Sequence, residues 1–233
     1  MELHGYFRSS ASYRVRIGLN LKGLNYDYRA VNLLQNEHRA EGYTHLNPQG
    51  LVPALVDDGT VLTQSLAILE WLEETHPEPP LLPQAPVERA RIRALAYGIA
   101  CDIQPIQNLR TLRYLQAEYG LSEEEKNRWI RHWIHEGFVA LEKQLERQLE
   151  RQAERHIDSK LQRQPDQQPE AGPFAAGEKP GLFECCLIPQ IYSAERFGMD
   201  ITEYPAIHRI LLACNENPAF IQARPENQPD STL

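Results

Sequence analysis

A proline-rich segment divides the chain into two parts of different periodicity, and it constrains the fold more than any other feature. The segment HPEPPLLPQAP, from His76 to Pro86, contains five prolines. Because proline lacks an amide donor and fixes its own backbone angle, this stretch excludes a regular helix or a central strand. Strand-like and helix-like patterns alternate before it, whereas apolar residues recur at helical spacing almost throughout after it. We therefore interpret the segment as a linker between two domains.

The part before the linker predicts a small sheet covered by helices, in the order β-α-β-α-β-β-α. Its strand-like runs interleave apolar and polar residues, and glycine or aspartate stands at its turns. In chain order the predicted elements are a strand over Leu3–Phe7, a helix capped by Ser10 or Ser12 that runs to about Lys22 and ends at Gly23, a strand over Tyr26–Leu33, a helix over His38–Leu46, two strands around the turn Asp57–Thr60, and a helix opened by Ser65.

The part after the linker predicts an all-helical domain. Its strongest helices are expected over Tyr97–Tyr114 and Trp129–Leu149, where large apolar residues recur every three or four positions. A few apolar residues at helical spacing follow Leu149, so the second helix is expected to extend into a Gln-rich insertion near 147–173. We interpret this stretch as a solvated insertion rather than a functional tail. Its end, from Pro165 to Pro173, is expected to be mobile. The predicted domains are 1–78 and 87–233, joined by the linker 79–86.

Composition excludes several classes of function and site. The formal net charge of −8 argues against a nucleic-acid binder or a binder of anionic membranes. No apolar run has the length of a signal peptide or a membrane span, so a cytoplasmic protein is expected. The four cysteines lack the paired spacing of a metal site, and their apolar or helical surroundings predict buried thiols.

Two serines stand where the first strand gives way to the first helix, in YFRSSASYRVRIGLNLKG. Ser9 and Ser10, called the serine pair below, follow Arg8, and Ala11 comes next, so the stretch lacks an obvious nucleophile. The first backbone N–H groups of a helix are unpaired and favour negative charge, so hydroxyls and amides here converge on a place that would stabilise an anion. We infer that the reactive atom arrives with a bound cofactor. The alternative is that the serine pair only caps the helix.

Three stretches carry a resemblance to a protein family: RSSASYRVRIGLNLKG, LNPQGLVPAL with QSLAILEWLEE, and CDIQPIQNLRTL. With CLIPQIYSAERF and the closing NPAFIQARPENQPD, they resemble the zeta class of the glutathione transferase superfamily over nearly the whole chain, except roughly 147–173. The resemblance implies an α/β thioredoxin-like N-terminal domain followed by an all-α helical-bundle domain, glutathione as the cofactor, and a homodimer. Two departures are Ala11, where relatives carry Cys, Ser or Thr, and Phe183-Glu184, where they carry Ala-Asp.

The resemblance implies a glutathione site in the first domain. One member of the serine pair would hold the thiolate, and Val52-Pro53, with a cis bond, would let Val52 pair with the cysteinyl backbone. The helix start at Gln64-Ser65 would bind the γ-glutamyl carboxylate, and His38 would contact the glycine end. The alternatives are a trans proline at a sheet edge, an ordinary helix cap and a lone surface histidine.

The resemblance also implies contacts from the second domain. Gln104 and Asn108 take positions that face glutathione or substrate on one helix of the family. Asp102 would reach across a dimer interface to the ammonium group of glutathione in the partner subunit.

The reaction implied by the resemblance is the glutathione-dependent cis–trans isomerisation of a dianionic diketo acid. A thiolate that adds to the double bond makes it single, so that the bond can rotate before the thiol is eliminated and regenerated. Arg8 and Arg110 are the candidates to clamp the carboxylates and to support the charge that develops. Arg14 and Arg16 are assigned to salt bridges on the helix surface, and Arg110 has the same alternative.

The choice of substrate follows the resemblance. Maleylacetoacetate, and with it the breakdown of tyrosine and phenylalanine, is placed ahead of maleylpyruvate. A conjugating or dehalogenating transferase is the second enzymatic alternative, although such sites tend to be more apolar. An interaction protein that has lost glutathione is the third, and the intact serine pair, Val52-Pro53 and Gln64-Ser65 argue against it.

Overall fold

The computed structural model describes residues 1–161 and 172–232, with the backbone alone for 152–161. The chain forms two compact units: Met1–Leu82 together with Asn215–Leu233, and Pro83–Cys214. The predicted boundaries instead assigned 87–233 to one domain. The difference has a physical cause, because residues near the C-terminus pack against the first helix.

The strands of the first unit form one mixed sheet in the order β2-β1-β3-β4. β1 pairs in parallel with β2 and antiparallel with β3, and β3 pairs antiparallel with β4. Asp57 pairs with Thr60 around Asp58 and Gly59, whose φ angles of 45° and 76° confirm the predicted tight turn. The strands span Glu2–Gly5 (β1), Asp27–Ala30 (β2), Ala54–Asp57 (β3) and Thr60–Thr63 (β4).

The α-helices follow the predicted order in the first unit and make up most of the second. Gly23, with a φ of 67°, ends the first helix as predicted, and the Leu24 amide donates to the Leu19 carbonyl at 3.0 Å. In chain order the helices are Ser10–Leu21 (α1), Glu41–Leu46 (α2), Ser65–Thr75 (α3), Pro86–Tyr97 (α4), Leu109–Tyr119 (α5), Glu123–Leu161 (α6), Leu182–Arg196 (α7), Pro205–Asn215 (α8) and Pro218–Ala223 (α9).

The core of the first unit lies between the sheet and its helices. Leu3, Leu55 and Leu69 are fully buried there. Gly18 lets α1 approach α3 closely, because a Cβ at that position would collide with the Leu69 side chain. The predicted helix over His38–Leu46 is divided: a 3-10 turn over Glu37–Arg39 precedes α2.

The assignment of Arg14 and Arg16 to surface salt bridges is wrong. Their exposed fractions are 2% and 0%. The Arg16 side chain donates to the carbonyls of Phe7 and Ala223, and Arg14 donates to the Ser65 hydroxyl. Both cations are therefore buried and hydrogen-bonded, as buried charges must be.

The first half of the proline-rich segment is anchored to the first unit. Lys22 donates to the Glu73 carboxylate at 2.8 Å and to the Pro79 carbonyl at 2.7 Å. The same carboxylate accepts the amides of Leu81 and Leu82, both of which are buried. The chain is thus fixed up to the point where the second unit begins.

The predicted helix over Tyr97–Tyr114 is broken in the structure. A π-helical segment over Gly98–Ile103 and a 3-10 turn over Gln104–Gln107 separate α4 from α5. Pro105 supplies no amide donor within this stretch, so helical hydrogen bonding is interrupted there. A new helix, α5, begins after its N-cap residue Asn108. Gln104 and Asn108 therefore do not share one helix, contrary to the prediction.

The long helix α6 confirms the predicted extension past Leu149, since it continues to Leu161. Gln148, at the start of the predicted insertion 147–173, is only 3% exposed, so this end of the stretch belongs to the core. Residues 162–171 lie outside the described part of the chain, and with them most of the segment that was expected to be mobile.

The prediction of buried thiols is correct for Cys185, Cys186 and Cys214 and wrong for Cys101, which is exposed. The first two lie on α7, where burial raises the pKa of Cys185. Among the described residues no helix has both the length and the apolar character needed to cross a membrane.

Candidate functional site

The register of the sheet brings four candidate segments to one end of the first unit. Gly5 at the end of β1 pairs with Ala30 at the end of β2. The start of β3, Ala54, pairs with His4 on one side and with Thr63, the end of β4, on the other. The segments that leave or enter the sheet at this end carry the serine pair, His38, Val52-Pro53 and Gln64-Ser65.

Ser9 is the N-cap of α1, which corrects the prediction of Ser10 or Ser12. Its Oγ accepts the Ser12 amide at 3.2 Å, and its own amide donates to the Tyr6 carbonyl at 2.9 Å. Ser10 is the first helical residue, and its hydroxyl makes no hydrogen bond within the described chain. Because the first turn contains no acidic residue, the positive end of this helix dipole is not neutralised by the helix itself.

Arg8 supplies positive charge directly before the serine pair. It is half-buried, and its guanidinium carbon lies 5.2 Å from the centroid of the Phe7 ring. Among the side chains that the structure describes, in 1–151 and 172–232, no carboxylate lies within 4.0 Å of it to form an ion pair. Its charge is therefore available to a ligand.

The Val52-Pro53 peptide bond is cis, as predicted. In the described chain neither the amide nor the carbonyl of Val52 makes a hydrogen bond. The preceding residue is held firmly, because the Leu51 carbonyl accepts the Tyr43 hydroxyl at 2.6 Å and the Asn47 Nδ2 at 2.7 Å. Burial raises the pKa of Tyr43 to about 12, so its hydroxyl remains a donor at physiological pH. The unpaired Val52 groups suit an extended peptide ligand.

Gln64 and Ser65 form the start of α3 in a strained conformation. Gln64 has a φ of 68°, a region that favours glycine, and its Nε2 donates to Gln49 Oε1 at 2.8 Å. Gln64 occupies the cap position, so the alternative that Ser65 is an ordinary N-cap is wrong. Ser65 is buried, and its Oγ accepts Nη1 of Arg14 at 3.3 Å. A guanidinium and a helix N-terminus thus meet at one point, which suits a carboxylate.

His38 is 7% exposed, so the alternative of a lone surface histidine is wrong. Its backbone lies close to Gly50, since a Cβ on that glycine would stand 2.9 Å from the His38 carbonyl oxygen. The turn with His38 therefore packs against the loop that leads to Val52. A contact to the glycine end of glutathione stays a prediction.

The candidates of the second unit lie around the break between α4 and α5. Asp102 is exposed in the π-helical segment, Gln104 begins the 3-10 turn, and Arg110 is exposed in the first turn of α5. Asn108 caps α5, because its Oδ1 accepts the Arg110 amide at 3.1 Å. Trp129 holds the turn by donating from Nε1 to the Ile106 carbonyl at 3.1 Å. The roles assigned to these candidates stay predictions.

Sequence reasoning missed two residues that shape the site. Arg14 reaches the start of α3, although helical periodicity places it among surface positions. Asp230, near the C-terminus, accepts the Phe7 amide at 3.0 Å and the Tyr28 hydroxyl at 3.4 Å. No local pattern marks either residue, because the partners are distant in sequence. The described residues contain no group of three or more His, Cys, Asp or Glu side chains that could hold a metal ion.

Comparison with known proteins finds similarity along the whole chain. A family model described as the glutathione S-transferase N-terminal domain matches residues 8–75. The chain is 47% identical to a probable maleylacetoacetate isomerase of Vibrio cholerae serotype O1, with 98% of this chain and 97% of that protein covered. A holo structure of maleyl pyruvate isomerase, described as a bacterial zeta-class glutathione S-transferase, is 44% identical with a TM-score of 0.88 and full coverage of both chains. A maleylacetoacetate isomerase from Anaeromyxobacter dehalogenans 2CP-1, solved with GSH in its active site, is 40% identical with a TM-score of 0.80, over 99% of this chain and 97% of that one.

Proposed function

Because the chain belongs to the zeta class of glutathione S-transferases, we propose that it is a maleylacetoacetate isomerase that uses glutathione as its cofactor. The proposed reaction converts maleylacetoacetate to fumarylacetoacetate, a cis–trans isomerisation in tyrosine and phenylalanine breakdown. Relatives named maleylacetoacetate isomerase occur in bacteria, slime mould and animals.

One observation carries the proposal: the end of the sheet gathers groups that match the parts of glutathione. The cofactor is a tripeptide with two carboxylates, an ammonium group and a thiol. The start of α3, with Arg14 behind Ser65, offers donors to a carboxylate, and the unpaired backbone of Val52 offers a strand-like pairing to a peptide. The serine pair opens α1 without an acidic neighbour in the first turn. The residues present therefore fit the cofactor.

The residues of the first unit have separate tasks in this proposal. When bound, glutathione supplies a thiol whose reversible addition to the double bond allows rotation, and the thiol is regenerated on elimination. The serine pair and the amides of the first turn of α1 keep that sulfur ionised. Arg8 holds a substrate carboxylate and supports negative charge that develops next to it. Arg110 is proposed for a carboxylate as well.

The assignment of substrate rests on the relatives and on charge. Proteins named for maleylacetoacetate and for maleylpyruvate are both close to this chain, at 47% and 44% identity. Both substrates carry two carboxylates, so cationic residues suit either one. Maleylpyruvate is therefore the second candidate, and a conjugating or dehalogenating transferase is the third.

We also propose that the protein works as a homodimer in the cytoplasm. One face of α4 and of the segment after it is exposed but apolar, with Val87 61% and Tyr97 36% exposed. Ala90, Ala94 and Cys101 continue this face at helical spacing and are also exposed. A second copy of the chain would bury it.

The test is an ultraviolet assay of both maleyl substrates, with and without glutathione. The proposal expects turnover of maleylacetoacetate that requires glutathione in catalytic amounts only. A halogenated acid and a conjugation substrate serve as comparisons. If neither maleyl acid turns over while the halogenated acid does, the proposal is wrong.

A further inference from the structure

Both backbone polar groups of Phe7 are held by charged side chains from other parts of the chain. The amide donates to Oδ2 of Asp230 at 3.0 Å, and the carbonyl accepts Nη2 of Arg16 at 2.9 Å. Phe7 itself is 1% exposed and stands two residues before Ser9. Hydrogen bonds to charged groups are about twice as strong as neutral ones, so the backbone of Phe7 is fixed more strongly than two neutral partners would fix it.

Arg16 is itself fixed on several sides. Its exposed fraction is 0%, and its guanidinium carbon lies 5.1 Å from the ring centroid of Tyr13 and 6.0 Å from that of Tyr28. Its Nε donates to the Ala223 carbonyl at 3.0 Å, at the end of α9. One guanidinium thus joins the loop before α1 to α9.

The residues that follow α9, called the tail here, fold back so that Asp230 lies next to the loop that contains Phe7. Gln228 donates from Nε2 to the carbonyls of Gln222 and Arg224, at 2.8 and 2.9 Å. Asn227 donates to the Ile221 carbonyl at 2.7 Å. These bonds turn the chain back on α9. The carboxylate then reaches Phe7 across 223 positions of sequence.

We propose that Asp230 and Arg16 are positioning residues for the serine pair: they hold the amide and the carbonyl of Phe7, so that the start of α1 keeps a fixed place at the end of the sheet. The inference deepens the proposed function and rests on it for its catalytic consequence. Neither residue is proposed to touch glutathione or substrate.

The other hydrogen bonds of the loop show why the two bonds to Phe7 matter for the position of the serine pair. The Tyr6 amide faces the Ser12 hydroxyl at 3.4 Å, and the Tyr6 carbonyl accepts the Ser9 amide at 2.9 Å. Both of these partners belong to the start of α1, so they move with it. Arg16 also lies on α1, but its second bond, from Nε to the Ala223 carbonyl, ties it to α9. The bond from the Phe7 amide to Asp230 joins the loop directly to the tail. A displacement of about 1 Å at a reacting group can cost up to about 100-fold in rate.

The decisive experiment compares Asp230→Ala, Asp230→Asn and Asn20→Ala with the wild-type chain. Asparagine keeps an oxygen that accepts the Phe7 amide, whereas alanine removes it. Asn20→Ala is the matched control, because Asn20 also ties α1 to α9, through a 2.9 Å bond to the Ala219 carbonyl, but at the far end of α1. Each variant is assayed for kcat, for KM and for hydrogen exchange of the glutathione-free protein.

We expect Asp230→Ala to lower kcat about tenfold while the KM for glutathione changes less than about threefold, because the groups at Val52 and Ser65 are untouched. Amides of the Phe7–Ser12 stretch should exchange faster in this variant, and those of α3 should not. Asp230→Asn should restore most of both properties, and Asn20→Ala should leave kcat near that of the wild type.

The inference is overturned if Asp230→Ala exchanges like the wild type over Phe7–Ser12, or if Asn20→Ala loses as much kcat as Asp230→Ala. Failure of the proposed function has a different signature: the wild-type chain would not turn over either maleyl acid. The exchange experiment needs no cofactor, so it decides the role of Asp230 in either case.

Discussion

Helices α1 and α7 begin in opposite ways. At α7 the buried Glu184 closes the helix start, since Oε2 accepts the Gly181 amide at 2.8 Å and Oε1 accepts the Ala175 amide at 2.9 Å. Its exposed fraction is 0%. At α1 the cap is the neutral Ser9, the first turn has no acid, and the Ser10 hydroxyl is unpaired within the described chain.

The difference separates a helix start that serves stability from one suited to a ligand. The side chain of Glu184 accepts the amide of Gly181, the N-cap of α7, and places an acidic group at the positive end of the helix dipole, so no external anion is needed there. At α1 the neutral Ser9 hydroxyl accepts the Ser12 amide, but the first turn contains no acidic side chain, and α3 resembles α1 in this respect. The Phe183-Glu184 departure from the family pattern therefore preserves the cap, and glutamate performs the role with a longer side chain.

The largest expected effect is on stability, from Glu184→Ala. The substitution leaves the amides of Ala175 and Gly181 without their acceptor in a buried place and opens a cavity. We expect the free energy of unfolding to fall by about 3 kcal/mol. Denaturant unfolding followed by circular dichroism measures it. A loss below about 1 kcal/mol would show that the carboxylate is not what closes α7.

Glu184→Gln is the control, and it adds a pH dependence. Burial raises the pKa of Glu184 above its ordinary value of 4.5, although the backbone donors oppose the shift. A raised pKa in the folded state means that the stabilisation is complete below 4.5 and is lost as the pH rises through the folded value. The stability of the wild type relative to Glu184→Gln should therefore fall as the pH rises above 4.5. A difference that grows with pH would contradict the direction.

The second prediction concerns the serine pair. Ser9→Ala removes the cap and should cost about 1 kcal/mol of stability, whereas Ser10→Ala should cost almost none, because the Ser10 hydroxyl has no bond to lose in the described chain. At least one of the two should raise the pKa of the bound thiol by about one unit and lower kcat/KM about tenfold near neutral pH.

The ultraviolet absorbance of the thiolate as a function of pH measures this shift directly. Comparing the two variants shows which serine lowers the pKa of the thiol, a question that the fold alone does not answer. Unchanged pH–rate profiles in both variants would contradict the role proposed for the pair.

The smallest expected effect comes from making α1 resemble α7. Ala11→Asp places a carboxylate in the first turn, where it should stabilise the helix by about 0.5 kcal/mol. The same charge should raise the pKa of the bound thiol and lower activity by about threefold. Ala11→Asn, which has the same shape without the charge, is the matched control. If both variants lose activity equally, bulk rather than charge is responsible.

The sequence predicted the features of the first unit that depend on near neighbours. Gly23 ends α1 because the backbone turns there with a positive φ, which glycine adopts without steric strain. The turn at Asp58 and Gly59 joins two strands in register for the same reason. The cis bond before Pro53 came from the family resemblance rather than from periodicity.

Features that depend on distant partners were missed. Arg14 and Arg16 look like surface residues in a helical pattern, yet the carbonyl that accepts Arg16 Nε belongs to Ala223. The break between α4 and α5 was also missed, although Pro105 was a local signal that a continuous helix was unfavourable. Apolar residues keep a roughly helical spacing across the π-helical segment and the 3-10 turn, so periodicity alone did not reveal the break between α4 and α5.

The contribution of residues 215–233 to the first unit has a consequence for biosynthesis. The ribosome delivers the sheet and α1 early, but Ala223 and Asp230, which accept hydrogen bonds from Arg16 and from the Phe7 amide, are synthesised much later. The nascent N-terminal part therefore leaves the exit tunnel before these hydrogen bonds can form, and the ligand-binding end of the sheet is completed only when residues 215–233 have been synthesised.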